Sequence, residues 1–224
     1  FLPAAEASAS EKWDASCDVL IAGGGAAGCM AAVEAARAGK SVMLVQAIPA
    51  LGGSSAISSG WIRACGTRWH KARNIKDTVE AYKEDILRYG NGCRLEKKAE
   101  VIASESGKFV DYLADIGVTF TDEEDRANGG ATLRIVKTAG GGNALMQKLG
   151  EAVEKTKGVT VRKRTRIVKV LLDAKGERVV GAVIAVRNKE QRVRANAVIL
   201  ATGGYGRNQE LVERFTNGWA KTGR

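Results

Sequence analysis

Asp18-Val-Leu-Ile-Ala-Gly-Gly-Gly-Ala-Ala-Gly28 decides how the rest of the chain is read. Its first five residues form a short apolar run, the signature of a strand buried on both faces. Residues 26–38 that follow are dense in alanine, with Val33 the one β-branched residue. That is strong helix composition, and Gly39 stops it. Residues 41–45, Ser-Val-Met-Leu-Val, supply a second buried strand. Between strand and helix, Gly23, Gly25 and Gly28 satisfy G-x-G-x-x-G in the context that motif requires. Gly23 allows the sharp turn, Gly25 lets backbone approach a diphosphate, and Gly28 lets the helix pack against the strands. The amides of Ala26 and Ala27 open the helix, whose dipole attracts an anion by about 1 kcal/mol.

Dinucleotide folds place an acidic residue at the end of the second strand, where it binds ribose hydroxyls. Here that position is Gln46, followed by Ala47. A neutral amide still accepts one hydroxyl hydrogen bond but loses the charge-assisted part. Further on, Gly52, Gly53, Ser54 and Ser55, then Ser58, Ser59 and Gly60, offer small side chains, flexible backbone and several hydroxyls. Such a loop can wrap a diphosphate or a planar ring; standing alone it would read as a surface turn. Near the other end, residues 197–201 read as a last buried strand, Ala201 leading into Thr202, Gly203 and Gly204. Three glycine clusters thus follow strand C-termini, where open α/β sheets bind ligands.

The intervening pattern is first helical, then extended. Residues 77–89 begin on an acidic side and space Val79, Tyr82, Ile86 and Leu87 along one face. Residues 95–116 predict one or two helices, and 143–156 another with Asn143 as N-cap. Residues 132–138, between Gly129-Gly130 and Gly140-Gly-Gly142, predict an extended segment. Strands are expected over 159–163, 167–172, 179–186 and 192–195, with a tight turn at Asp173-Ala-Lys-Gly176 and a break over 188–190. The expected fold is therefore α/β and Rossmann-like: a parallel sheet, an antiparallel β-meander and a helical insertion. Residues 1–16 read as an N-terminal arm or signal-peptide remnant. Residues 17–224 read as one cofactor-binding domain, with 61–142 a mainly helical excursion.

Composition narrows the function classes. No uncharged apolar run approaches 18 residues, so no membrane span is expected. The net charge of +10 favours anionic partners. Arg162, Lys163, Arg164, Arg166 and Lys169 cluster without an interleaved aromatic, which argues against nucleic acid and for an anionic substrate or redox partner. Cys17, Cys29, Cys65 and Cys93 make no zinc, redox or haem spacing, and His70 is the only histidine, so no metal site is expected. Ala7-Ser8-Ala9 resembles an export cleavage pattern, placing the protein in a bacterial cell envelope; a plain disordered arm would leave it cytoplasmic.

Residues 18–60 and 162–215 resemble the flavoprotein family of fumarate reductases, succinate dehydrogenases and 3-oxosteroid dehydrogenases, nearest to its soluble, single-chain fumarate-reductase-like members. The carriers are the opening stretch, Ile48-Pro-Ala-Leu-Gly-Gly-Ser-Ser55 and Ala201-Thr-Gly-Gly-Tyr-Gly206, with residues 143–186 matching in order and spacing. The resemblance implies FAD, its adenosine diphosphate on the first glycine turn and Gln46. It places residues 52–60 beside the diphosphate and flavin ring, with Val168 offering its backbone to the adenine. Residues 201–204 would close the nucleotide from the other side. It further implies flavin-dependent reduction of an activated carbon–carbon double bond in a small unsaturated acid or enone, with an external electron donor. Two alternatives stand beside it: dehydrogenation of the 3-oxosteroid type, and a flavin-binding fragment or subunit inactive without a C-terminal half. Membrane-bound relatives attach FAD through a histidine in the serine-rich loop; this chain has Ser54 and Ser55 there, so non-covalent FAD is expected. The family's substrate-clamping arginines and histidines follow the Ala-Thr-Gly-Gly strand, in a capping domain and a last flavin segment. The capping domain is expected to be absent from the chain, which ends at Arg224, and no catalytic residue is assigned. Trp61, Arg63 and Arg68 read as packed or solvated rather than flavin-facing.

Overall fold

A computed structural model describes residues 3–6, 12–90, 95–121, 134–206 and 208–216. Ala7-Ser8-Ala9, Cys93, Gly129-Gly130, residues 132–133 and the last eight residues lie outside the described residues. In chain order the elements are β1 (Ala4–Glu6), β2 (Ala15–Ala22), α1 (Ala26–Arg37), β3 (Val42–Gln46), α2 (Gly53–Ala56), β4 (Trp61–Arg63), α3 (Arg68–Ala72), α4 (Val79–Tyr89) and α5 (Glu96–Asp115). They continue with β5 (Phe120–Thr121), β6 (Ile135–Thr138), α6 (Gly141–Lys155), β7 (Val159–Lys163), β8 (Thr165–Leu172), β9 (Val179–Val186), β10 (Lys189–Leu200) and α7 (Gln209–Phe215). The chain divides into two compact units, Phe1–Ser54 with Val153–Arg224, and Ser55–Ala152.

The first unit holds a seven-stranded sheet in the order β1-β8-β9-β10-β2-β3-β7. Its parallel part, β10-β2-β3-β7, is the Rossmann-like half, and β8-β9-β10 is the antiparallel meander. The helix α1 packs on β2 and β3, presenting Cys29, Ala32 and Val33 from its buried side. Leu20, Ala22, Met43 and Val45 from the parallel strands cluster with Ala182, Ile184, Val193 and Ala195 of the meander. The meander therefore covers one face of the parallel strands and α1 packs on the other, which together explain why β3 is buried at every residue. Residues 4–6 form β1, parallel to β8.

Two expectations for the last strand need correcting. Residues 192–195 and 197–201 are not separate strands: β10 is continuous, antiparallel to β9 through Arg194 and parallel to β2 from Val193 onward. Nor is its end buried, with Ile199 37% and Leu200 54% exposed. The β9 ladder stops at Arg194–Gly181, so among the described residues β2 is the one strand still pairing with residues 197–200. The preceding turn is also tighter than the sequence suggests. Arg187 and Asn188 alone join β9 to β10, both at positive φ (49° and 66°), as a two-residue hairpin turn requires.

In the second unit α4 and α5 pack together, and a three-stranded antiparallel sheet runs β4-β6-β5. Residues 95–116 make one helix rather than two, and α6 starts two residues ahead of Asn143. Gly107 lets α5 approach Cys65 so closely that a Cβ would meet its carbonyl oxygen at 2.2 Å. A buried ion cluster ties the helices to the sheet: Arg134 Nε and Nη2 donate to Asp77 at 2.6 Å each, and Nη1 donates to Asp85. The Arg134 guanidinium also lies 4.9 Å from the Tyr82 ring.

Candidate nucleotide-binding site

The glycine turn joins the C-terminal end of β2 to the start of α1. Gly23 sits at φ 107°, and a Cβ there would lie 2.2 Å from the carbonyl oxygen of Ala201. A Cβ on Gly28 would meet Gly23 O at 1.8 Å and the Ala201 side chain at 3.3 Å. Both glycines are thus required by close packing of the turn against the end of β10, which Ala201 N–H continues by donating to Ala22 O at 2.8 Å. Gly25 is the N-cap of α1 and no side chain caps it, while Ala26 is half-buried and Ala27 exposed.

Gln46 does more than the sequence indicates. Its Oε1 accepts from Gly24 N–H at 3.0 Å and its Nε2 donates to Ala50 O at 3.0 Å. Gly52 N–H in turn donates to Gly24 O at 2.7 Å. These bonds knit the loop holding Ala47 onto the glycine turn. A carboxylate could accept from Gly24 but could not donate to Ala50, which accounts for an amide where an acid is usual. Nothing in local sequence reports this bridge; the one signal is the choice of Gln over Glu.

Gly53 (φ 51°), Gly203 (φ 81°) and Gly204 are exposed, and a Cβ on any of them would meet no atom within 4 Å. Ser54 and Thr202 are exposed beside them. Val168 falls in a β-bulge: Ile167 pairs with Ile184 and Lys169 with Val183, so the register passes over it. Bulges of this kind turn a strand's backbone toward something other than its neighbour. At the opening strand, Asp18 accepts from both the amide and the hydroxyl of Ser41, and these bonds lower its pKa.

Ser55, Ser58, Ser59 and Gly60 belong to the second unit. There Ser58 Oγ donates to Ser55 O at 2.8 Å and Gly142 N–H donates to Ser58 O at 2.9 Å. Gly60, at φ 80°, leaves no room for a Cβ against Thr138 Oγ1. Ser59 is exposed. His70 is buried in the capping box of α3, where its Nδ1 accepts from Thr67 N–H at 3.2 Å. Arg68 pairs with Asp111 and Asp115, and Lys137 lies over the Trp61 ring at 4.8 Å.

A family model described as FAD binding domain matches residues 18–224. The chain belongs to this FAD-binding domain family. A probable fumarate reductase of Shewanella frigidimarina is 33% identical over 201 residues, 88% of this chain and 34% of that protein. The open conformation of a flavocytochrome c3 fumarate reductase superposes with a TM-score of 0.86 at 30% identity, over 94% of this chain and 37% of that one. A 3-ketosteroid-Δ4-(5α)-dehydrogenase from Rhodococcus jostii RHA1, solved with 4-androstene-3,17-dione, gives 0.81 at 29% identity, over 96% and 51%. The chain spans about a third of the length of this curated relative.

The residues of the FAD-binding domain fit its cofactor. Beside the turn the Leu51 side chain packs on Gly24, where a Cβ would meet its Cδ2 at 2.4 Å, while the glycines at 53, 203 and 204 border open space. Among the described residues no group of His, Cys, Asp and Glu could hold a metal ion, and no helix is long and apolar enough to cross a membrane.

Proposed function

We propose that the protein is an FAD-dependent oxidoreductase that reduces an activated carbon–carbon double bond next to a carboxylate or carbonyl. The observation that carries this reading is the uncapped glycine turn at Gly25, with Gly53, Gly203 and Gly204 bordering open space in a chain of the FAD-binding family. In this reading the amides at Gly25, Ala26 and Ala27, helped by the α1 dipole, hold the diphosphate. Gln46 and Ala47 face the ribose, where Gln46 keeps one acceptor lone pair and one amide N–H beyond the bonds to Gly24 and Ala50. Val168 offers backbone to the adenine, and Ala201, Thr202, Gly203 and Gly204 close the nucleotide. Gly52 to Ser55 and Ser58 to Gly60 run toward the flavin. When bound, FAD supplies the hydride chemistry; the protein supplies binding and orientation. FAD is held non-covalently in this reading, since Ser54 and Ser55 stand in the serine-rich loop where a linking histidine would be.

The substrate is a small unsaturated acid or enone, and electrons arrive from an external donor. Residues 1–16 are read as an arm or export remnant and 17–224 as the FAD-binding domain, with 61–142 an excursion from it. The likeness to a 3-ketosteroid dehydrogenase supports a second reading, the reverse dehydrogenation of a ring ketone. The experiment is a visible spectrum of the purified protein, then photoreduction and reoxidation with a panel of enoates and enones. Reoxidation by enoates supports the first reading and reduction by saturated ketosteroids the second. A folded protein that takes up no FAD defeats both.

A further inference from the structure

The positive charge is not spread over the molecule. Residues 155–194 hold thirteen Lys and Arg against three Asp and Glu, a surplus of ten that equals the net charge of the whole chain. The remaining residues balance at 22 of each sign. Within β8-β9-β10 the ladder places Thr165 opposite Val186 and Val186 opposite Lys189, which brings the turns at Arg164 and Arg187-Asn188 to one end of the meander. Arg166, one residue further along β8, pairs with Ala185. Arg164, Arg166, Arg187 and Lys189 are all exposed, and among the described residues none of the four makes an ion pair. Glu190, opposite Ala185, is the acid at this end.

A second observation concerns backbone. Four described non-glycine residues have positive φ: two are asparagines, and the other two are Arg164 (54°) and Arg187 (49°). Glycine and asparagine take this conformation most readily, so arginine at both turns is a choice against local preference. The charge, rather than the turn, accounts for it.

We propose that this end of the meander docks an acidic protein surface through Arg164, Arg166, Arg187 and Lys189. Three of the four are arginine, whose planar fork matches carboxylates in a bidentate manner. No large apolar side chain is exposed on β7, β8 or β9 for insertion into a lipid surface, nor is any aromatic ring exposed there for stacking on bases. Arg164 and Arg187 stand on short turns, and Arg166 and Lys189 on the paired strands beside them, so the backbone that carries the four cations is held in place before a partner arrives.

The proposal goes beyond the cofactor reading and does not rest on it. Its test is the affinity of FAD-loaded protein for poly-L-glutamate, compared with phosphatidylserine vesicles and duplex DNA at the same ionic strength. The variant combines Arg164→Gly, Arg166→Gln, Arg187→Gly and Lys189→Gln. It is expected to bind poly-L-glutamate at least about tenfold more weakly, with an unchanged flavin spectrum and a melting temperature at or above that of the parent. Arg187→Gly alone, which relieves the turn, is expected to weaken binding about threefold without loss of stability. Equal binding by parent and variants overturns the proposal, as does tighter binding of the parent to vesicles or DNA than to poly-L-glutamate. A parent that carries no flavin bears on the cofactor reading alone.

Discussion

Gly23 and Gln46 show how single side chains set the geometry of the turn. At Gly23 the backbone takes φ 107° and the neighbouring Ala201 carbonyl fills the space a Cβ would need. Gly23→Ala is expected to cost about 2–4 kcal/mol in urea unfolding, because both the dihedral and the contact must yield. Gln46→Glu keeps the acceptor for Gly24 but sets a carboxylate against Ala50 O. It is expected to cost about 1–2 kcal/mol at neutral pH, recovered in part when acid restores a donor, as read from melts at two pH values. Burial pushes the Cys29 thiol up to about 12, with Glu154 adding to the rise. The unfolded chain releases that proton near an ordinary cysteine pKa while the folded one holds it. Stability is therefore complete below about pH 8.5 and is lost as pH rises toward 12. Folded protein should resist iodoacetamide at Cys29 at pH 8, and Cys29→Ala should flatten the alkaline loss; rapid labelling would refute the buried placement.

The elements differ in how far they could be read in advance. The β2–α1–β3 unit was legible because an apolar run, a glycine turn and an alanine-rich segment each have local causes. In the sheet β4-β6-β5, β6 falls within the extended segment expected over 132–138, but β4 and β5 were not legible, since strands of two or three residues are too short for a period-two pattern to emerge. The continuity of β10 was hidden by Asn196, a polar residue that reads as a break yet donates to Asp18 from within the strand. Arg134 likewise gave no signal, although it joins β6 to the segment capping α4. Burial raises the Asp77 pKa, but the Arg134 bonds outweigh it and hold the carboxyl below its ordinary value. The stabilisation is thus present above about pH 4 and lost as pH falls below it. Arg134→Met leaves Asp77 buried without its cation and is expected to cost about 3–5 kcal/mol at pH 7, with the penalty shrinking in acid as Asp77 takes a proton. Thermal melts from pH 3 to 7 check both the size and the sign.

Across the first unit, the site depends on strands far apart in the chain meeting at their C-terminal ends. Gly204 tests that assembly, because its Cβ position is open and its backbone needs no left-handed angle. Gly204→Leu should leave the cofactor-free protein within about 0.5 kcal/mol of the parent. The parent should gain about 2.7 kcal/mol with FAD at a hundred times its dissociation constant, and the variant little or none. Calorimetry with and without FAD decides; an equal shift in both removes Gly203-Gly204 from the site. The glycine clusters could be placed from residue types alone, because backbone freedom, close approach and helix propensity act within a few residues of one another. Pairing is different in kind: β10 lies beside β2 across more than 170 residues of chain, and no local pattern carries that distance. Only the folded arrangement could therefore show that Ala201 presses on Gly23, that Gln46 spends its amide on the protein's own backbone, that Val168 escapes the ladder, and that Ile199 and Leu200 end exposed.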